Sequence, residues 1–252
     1  DIIKFLFNMK VVATIQARMT SSRLPGKVMM PVLGKPMLYY LVERLKSVQS
    51  IDEIVLATTL NKTDDKLIEF AISENISYFR GSEDDVMLRV VEAADSVGAD
   101  IVVEITGDCP IIDPQIVEQT ILMYMANNAD YVSNGHVRSF PDGMDTQVFA
   151  LDVLKKSLSM TNELLDHEHV TLHIRNNPQL FTKINFVAPS ELDWPELGLT
   201  LDEQHDYNLL KIIIEHFGQD NPFFSCLDVV QFLKGRPELV AINAKVHRKG
   251  DS

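Results

Sequence analysis

The sequence predicts an α/β fold with a mainly parallel central sheet flanked by helices. Short runs rich in Val and Ile alternate with amphipathic stretches of about 10–15 residues, the pattern of strand–helix–strand units. The chain has 252 residues, 46% hydrophobic and 23% charged, enough for one large folded domain or two small ones. A loop crowded with cations follows the first strand, at the place where such sheets hold ligands.

Residues 10–15 read as a buried strand through Val11, Val12, Ala13 and Ile15. Pro36 suits the first turn of a helix over 36–48, where Leu38, Leu41, Val42 and Leu45 form an apolar stripe. A strand over 54–59 precedes a helix over 64–74, with Thr63 as N-cap. A short strand over 76–79 leads to a helix over 84–97 that starts near Ser82 or Glu83. Residues 100–106 form a third long strand, and Asp113-Pro114 opens a helix over 114–128. After Ala129 the pattern changes: strand 131–134, loop 135–143, strand 144–150, helical stretches 152–160 and 163–175, strand 180–188, then a late helix over 205–217. There is no linker, low-complexity run or internal repeat. Residues 9–252 are therefore read as a single domain with an inserted α+β lobe at about 134–189.

The loop after the first strand is the most informative segment. Arg18, Arg23 and Lys27 fall within ten residues, separated by small and turn-forming residues, in a chain with 23 Lys+Arg against 36 Asp+Glu. It is too long for a plain strand-to-helix turn. It is not a Walker A loop, because Ser21 stands at the first glycine position and Val28 follows Lys27. Nor is it a Gly-x-Gly-x-x-Gly fingerprint, since Gly26 is the only glycine before Val32. Phosphates held here would be held by charge as well as by backbone amides, with forked Arg donors and a mobile Lys.

Composition narrows the function. A net charge of -13 argues against nucleic acid as the main partner. It also opposes a nucleoside triphosphate, unless a local basic loop and a divalent cation offset it. No apolar run approaches the ~18 residues that cross a bilayer, so no membrane insertion is expected. Residues 1–8 are apolar but short and lack a signal peptide's cleavage pattern, and Met9 reads as the natural start. Two cysteines give no disulfide framework, and a cytoplasmic location fits best.

Residues 15–27 together with Gly34-Lys35-Pro36-Met37-Leu38 resemble the N-terminal signature of sugar nucleotidyltransferases. The branch matched is that of the sugar cytidylyltransferases, which includes CMP-Kdo synthetase and acylneuraminate cytidylyltransferase. The resemblance covers roughly residues 9–217. It implies the nucleotidyltransferase variant of the Rossmann-like fold (GT-A-like), CTP and a sugar or sugar acid as substrates, Mg2+ as cofactor, and a homodimer formed through the lobe. Arg18, Arg23 and Lys27 would then act on the triphosphate, with Gln16, Ala17, Ser22 and Gly107 at the nucleotide.

Later segments continue the match. Thr106-Gly107-Asp108-Cys109-Pro110 carries the family's Gly-Asp-x-Pro motif and makes Asp108 a metal ligand, against the alternative of a turn cap. Asp202, at the end of the apolar run 199–201, is either a second metal ligand or an N-cap, and Asp206, one turn into the helix, is the weaker candidate. Arg80, Gly81 and Ser82 would lie beside base and ribose; the same residues also read as a loop and a helix start with acidic first-turn residues. Phe140 to Phe149 resembles the family's Pro-Asp-Gly-x-Asp segment, which puts Asp142 and Asp145 at the sugar, although Asp142-Gly143 alone would suit a hairpin. The branch has Glu where Gln147 stands, so a neutral amide would meet a sugar hydroxyl there.

Asp166 to Arg175 offers His169 and Arg175. The segment fails the His-Glu-x-x-His zinc pattern, since Thr171 replaces the second His, although His169 and His173 would share a helix face. The match to Glu-His-Val-Thr favours sugar-side polar contacts or packing of the lobe, and Arg175 would meet either an acceptor carboxylate or the helix's last carbonyls. Two rivals are set against this reading. A glycosyltransferase of the same fold would usually carry Asp-x-Asp, which the chain lacks. A non-catalytic nucleotide-binding protein would keep the fold and bind CTP without releasing pyrophosphate.

Overall fold

In the computed structural model, residues 9–218 and 220–248 are described; residues 1–8, read above as an upstream extension, lie outside them. β1 (Val11–Gln16) precedes the cation loop, which ends in a 3-10 turn over Lys27–Met29 and a short hairpin of β2 (Pro31–Val32) and β3 (Lys35–Pro36). Then follow α1 (Met37–Lys46), β4 (Glu53–Thr59), α2 (Asp65–Ser73), β5 (Ser77–Gly81), α3 (Val86–Ser96), β6 (Ile101–Thr106), α4 (Pro114–Ala126) and β7 (Tyr131–Ser133). The chain continues through β8 (Gln147–Ala150), α5 (Leu151–Met160), α6 (Leu164–Glu168), α7 (Leu172–Asn176), β9 (Lys183–Asn185), α8 (Gln204–Phe217), α9 (Cys226–Lys234) and α10 (Pro237–Val240).

Seven strands make one sheet in the order β5-β4-β1-β6-β8-β7-β9. β5, β4, β1 and β6 pair in parallel, and β8 runs antiparallel to both of its neighbours. The chain adds β4 and β5 on one side of β1 and then returns to place β6 on the other. The carboxyl ends of β1 and β6 thus flank the topological switch point, where open α/β sheets bind ligands. Of the segment expected as an inserted lobe, β8 and β9 lie in this same sheet, and α5 to α7 follow β8 on the chain.

The period-two alternation of the strands sorts their side chains. Val11, Ala13 and Ile15 of β1 and Ile101, Val103 and Ile105 of β6 pack with α1, α2 and α4. Val12 and Val102 face the other way, with α3 and α5. Gln16 and Glu104 fall on that second face by the same alternation, so two polar side chains lie side by side next to a buried layer. A third apolar cluster joins α8 and α9 to Met144, Leu197, Leu199 and Leu201. The expected helices and long strands are present, with ends shifted by a few residues.

Three differences are larger. The expected helix over 163–175 splits into α6 and α7 at Val170, whose φ of 46° no α-helix accommodates. The strand expected over 180–188 shortens to β9. The helix α9, capped by Ser225 and Asp228, was not anticipated. No helix among the described residues is long and apolar enough to cross a membrane.

Arg44 ties α1 to the C-terminal helices. It is 1% exposed, donates to the carbonyls of Phe224 (2.9 Å), Pro222 (3.1 Å) and Ile112 (3.3 Å), and lies 4.1 Å from the centre of the Phe224 ring. Arg44→Ala would leave the buried carbonyls of Ile112 and Phe224 unpaired, at about 3 kcal/mol. The melting temperature should fall by roughly 6–12 °C in differential scanning calorimetry; an unchanged melting point would mean that solvent replaces the guanidinium at no cost.

Candidate active site

The cation loop is held from three sides. Ala17 donates to the Ala57 carbonyl (3.2 Å), Gly26 to the Met19 carbonyl (2.8 Å), and Met19 to the buried carboxylate of Asp64 (2.8 Å), which also accepts from Thr58 and Thr59. Gly26, at φ 72°, makes the left-handed turn into the 3-10 segment that carries Lys27. Gly107 allows a close approach: its amide donates to the Gln16 carbonyl at 2.8 Å, and a Cβ there would come within 2.8 Å of the same oxygen. The loop and the end of β6 are thereby pressed together.

That contact sets the central feature. Lys27 Nζ lies 3.0 Å from Asp108 Oδ2 and 3.1 Å from Asp202 Oδ1. Burial opposes the charge of Asp108, yet the Lys27 charge and hydrogen bonds from Thr106, Lys27 and its own backbone hold the carboxyl below its usual range. Burial also works against the Lys27 ammonium, but the two carboxylates outweigh it and push its pKa up. Arg23 reaches the same centre, with Nη2 2.7 Å from Asp202 Oδ1. Arg18 is more exposed and lies 3.5 Å from Glu83.

These residues line a cavity of about 450 Å³ at the switch point. Gln16, Ala17, Ser22 and Gly107 line it, as do Asp142, Asp145, Gln147, His169 and Arg175. Asp142 does not sit in a simple hairpin. It bridges in parallel to Gly198, its amide donating to the Leu197 carbonyl (2.9 Å) and its carbonyl accepting from Leu199 (2.7 Å), which brings its carboxylate to the Asp202 turn.

Arg80, Gly81 and Ser82 are not among the residues that line the cavity. The Arg80 guanidinium is spent on the Thr59 and Asn61 carbonyls and on Asp65. Gly81 is buried against Phe79 and Arg89. Ser82 accepts from the Asp85 amide at the start of α3, where Asp85 is the N-cap. The three histidines of the 166–175 segment also diverge: His167 pairs with Asp85 at 2.8 Å, His173 contacts Ser157 at 3.0 Å, and His169 faces the cavity. The break at Val170 removes the shared helix face of His169 and His173.

The sequence model of the cytidylyltransferase family matches residues 12–228. The chain belongs to the cytidylyltransferase family. It is 33% identical to the spore coat polysaccharide biosynthesis protein SpsF of Bacillus subtilis, over 89% of this chain and 94% of that one. A cytidylyltransferase structure from Leptospira borgpetersenii superposes with a TM-score of 0.88 at 34% identity, covering 95% of this chain and all of the other. A 3-deoxy-manno-octulosonate cytidylyltransferase of Geobacter metallireducens is 25% identical over 75% of this chain and 83% of its own. The protein is thus a nucleotidyltransferase enzyme with the α/β nucleotidyltransferase fold.

This cytidylyltransferase carries cavity-lining residues that sequence reasoning missed: Glu104, Thr200 and Arg248. Glu104 is 2% exposed and accepts from the side-chain amides of Gln16 and Gln147. The Gln147 oxygen is itself taken by Tyr131 (2.7 Å) and by Thr171, which turns the amide nitrogen toward Glu104. Gln147 therefore orients an acid within the protein. A signal for Glu104 existed, since it is the one charged residue inside the apolar strand 101–105.

Burial pushes the Glu104 carboxyl up to about 7, against the Gln16 hydrogen bond and the charge of Arg175. A carboxyl raised in this way stabilises the fold below its ordinary pKa of 4.5, and that contribution is lost as pH rises through about 7. Glu104→Gln should remove this dependence. The melting temperature of the variant relative to wild type should climb between about pH 4.5 and 7 and level off above; parallel curves would place the proton elsewhere.

Proposed function

We propose that this enzyme transfers CMP from CTP to a sugar or sugar acid, releasing pyrophosphate, in the biosynthesis of a surface polysaccharide or glycan. The observation that carries the reading is the partly buried Lys27 ammonium shared by Asp108 and Asp202 at the end of the loop that carries Arg18 and Arg23, in a chain of this family. In the reaction an acceptor oxygen bonds to the α-phosphorus of CTP, the bond from that phosphorus to the bridging oxygen breaks, and pyrophosphate departs with the pair. The protein's part is placement and charge. Arg23 and Lys27 face the phosphates from a wall already stripped of much of its water, and Arg18 stands nearer the mouth.

The donor set suits Mg2+: Asp108 and Asp202 each keep a second hard carboxylate oxygen besides the one that holds Lys27, and Mg2+ usually needs only one or two carboxylates besides water and phosphate oxygens. Held by Asp108 and Asp202, it would neutralise phosphate charge and orient the attacking oxygen. The acceptor class is supported by the Geobacter relative, a 3-deoxy-manno-octulosonate cytidylyltransferase. Arg175 in the cavity wall, with Arg138 beside Asp142, supports an acidic acceptor.

Thermal shift with CTP, UTP, ATP and GTP, each with and without Mg2+, tests the nucleotide. CTP at ~100 times its dissociation constant should stabilise by about 2.7 kcal/mol, and Mg2+ should enlarge the shift; no response to any nucleotide would remove the reading. With CTP and 3-deoxy-manno-octulosonate or another sugar acid, Lys27→Ala should slow pyrophosphate release by roughly 10²–10³-fold. Undiminished turnover would take Lys27 out of the reaction. A homodimer is supported by the exposed apolar residues Met160, Leu164 and Leu165 at the end of α5 and the start of α6. Leu164→Glu with Leu165→Glu should convert a dimer to a monomer in light scattering, and an unchanged mass would exclude this face.

A further inference from the structure

The last described residues come back to the active site, beyond residue 228 where the family match ends. Asn243, 4% exposed, anchors them: its side-chain nitrogen donates to the Gly198 carbonyl (2.9 Å) and to Asp206 Oδ1 (2.8 Å). The His247 carbonyl accepts from Arg23 Nη1 at 2.8 Å, so a cation of the N-terminal loop is fixed by the C-terminal segment. Arg248 then enters the cavity wall. Its Nη1 donates to Thr200 Oγ1 at 2.6 Å, its Nη2 lies 2.8 Å from Asp206 Oδ1, its Nε lies 3.3 Å from Asp142 Oδ2, and Nη1 is 4.0 Å from Asp202 Oδ2. The guanidinium lies flat against Gly198, where any Cβ would occupy its place.

Four aspartates (108, 142, 202 and 206) thus meet three cations (Lys27, Arg23 and Arg248). Asp206 is fully buried and accepts the amides of Asp202 and Glu203, which shapes the turn that presents Asp202. A planar, forked guanidinium suits this position because it serves Asp206, Thr200 and Asp142 at once, which an ammonium does not.

We propose that Arg248 is a positioning residue for the nucleotide and that the C-terminal segment is part of the active site. Through Asp206 and Thr200 it holds the turn that presents Asp202, and through the His247 carbonyl its segment fixes Arg23. The inference rests on the CTP reading above.

The test is calorimetric titration of CTP in excess Mg2+ on the full chain. Arg248→Ala should weaken CTP binding roughly 10–100-fold, the usual range for losing a group that orients a metal ligand. Arg248→Lys should recover only part of the affinity. Ethylguanidinium added to Arg248→Ala should restore it, a rescue that a merely structural defect would not show. Gly198→Ala is the second route: it keeps the arginine but displaces its guanidinium, and its backbone is not left-handed, so it should reproduce the loss even if Arg248→Ala fails to fold. Wild-type binding with unchanged affinity in Arg248→Ala or Gly198→Ala overturns the role of Arg248 alone. No CTP binding by wild type overturns the nucleotide reading and this inference with it.

Discussion

The site depends on one shared ammonium. Lys27 bridges Asp108 and Asp202, which are 81 and 175 residues away in sequence, and so joins the first loop, the end of the central strand β6 and the turn before α8. Removing such a charge from water is unfavourable unless its partners are in place. Each supporting feature serves that requirement: the left-handed Gly26, the close approach at Gly107, and Asp64 holding the loop at Met19. The desolvation cost falls on folding rather than on substrate binding, which is what preorganised charge means in an enzyme.

The same arrangement resolves the conflict between a chain of net charge -13 and an anionic substrate. Charges spread over the surface are screened beyond about 8–10 Å at ordinary ionic strength, whereas cations in a recessed cavity act at contact distance. Arg18, Arg23, Lys27, Arg89 and Arg248 all line one cavity, while much of the acidic excess lies elsewhere on the chain. Seven Arg and Lys side chains line the cavity with six Asp and Glu, so the wall is close to balanced in charge where the chain as a whole is strongly acidic.

What could be read from the sequence was what is local in it. The alternation of strands and helices gave the sheet, and the cation loop and the Gly-Asp-x-Pro motif gave one wall of the site, because each is contiguous. Arg80, Gly81 and Ser82 were open to two readings, and the structure uses Arg80 and Ser82 for the loop and the start of α3. The break between α6 and α7 has no composition signal, since a buried Val170 at positive φ is imposed by tertiary packing. Arg248 could not be read at all: nothing near it in sequence predicts that it reaches an aspartate 42 residues earlier. The capping box of α9, Ser225 with Asp228, is by contrast legible in the sequence.

Gln147 shows why one departure from a family pattern should not be read alone. Its partner across the ladder is Glu104, in register on the neighbouring strand. A glutamate at both positions would set two carboxylates against each other in a buried site, and they could be accommodated only by sharing a proton. The neutral amide removes that conflict, and its direction is set by Tyr131 and Thr171 rather than by substrate. Gln16 completes the cradle from β1, on the same face by strand alternation. The acid at 104 and the amide at 147 are therefore one unit, and the charge at that end of the cavity is set by the pair.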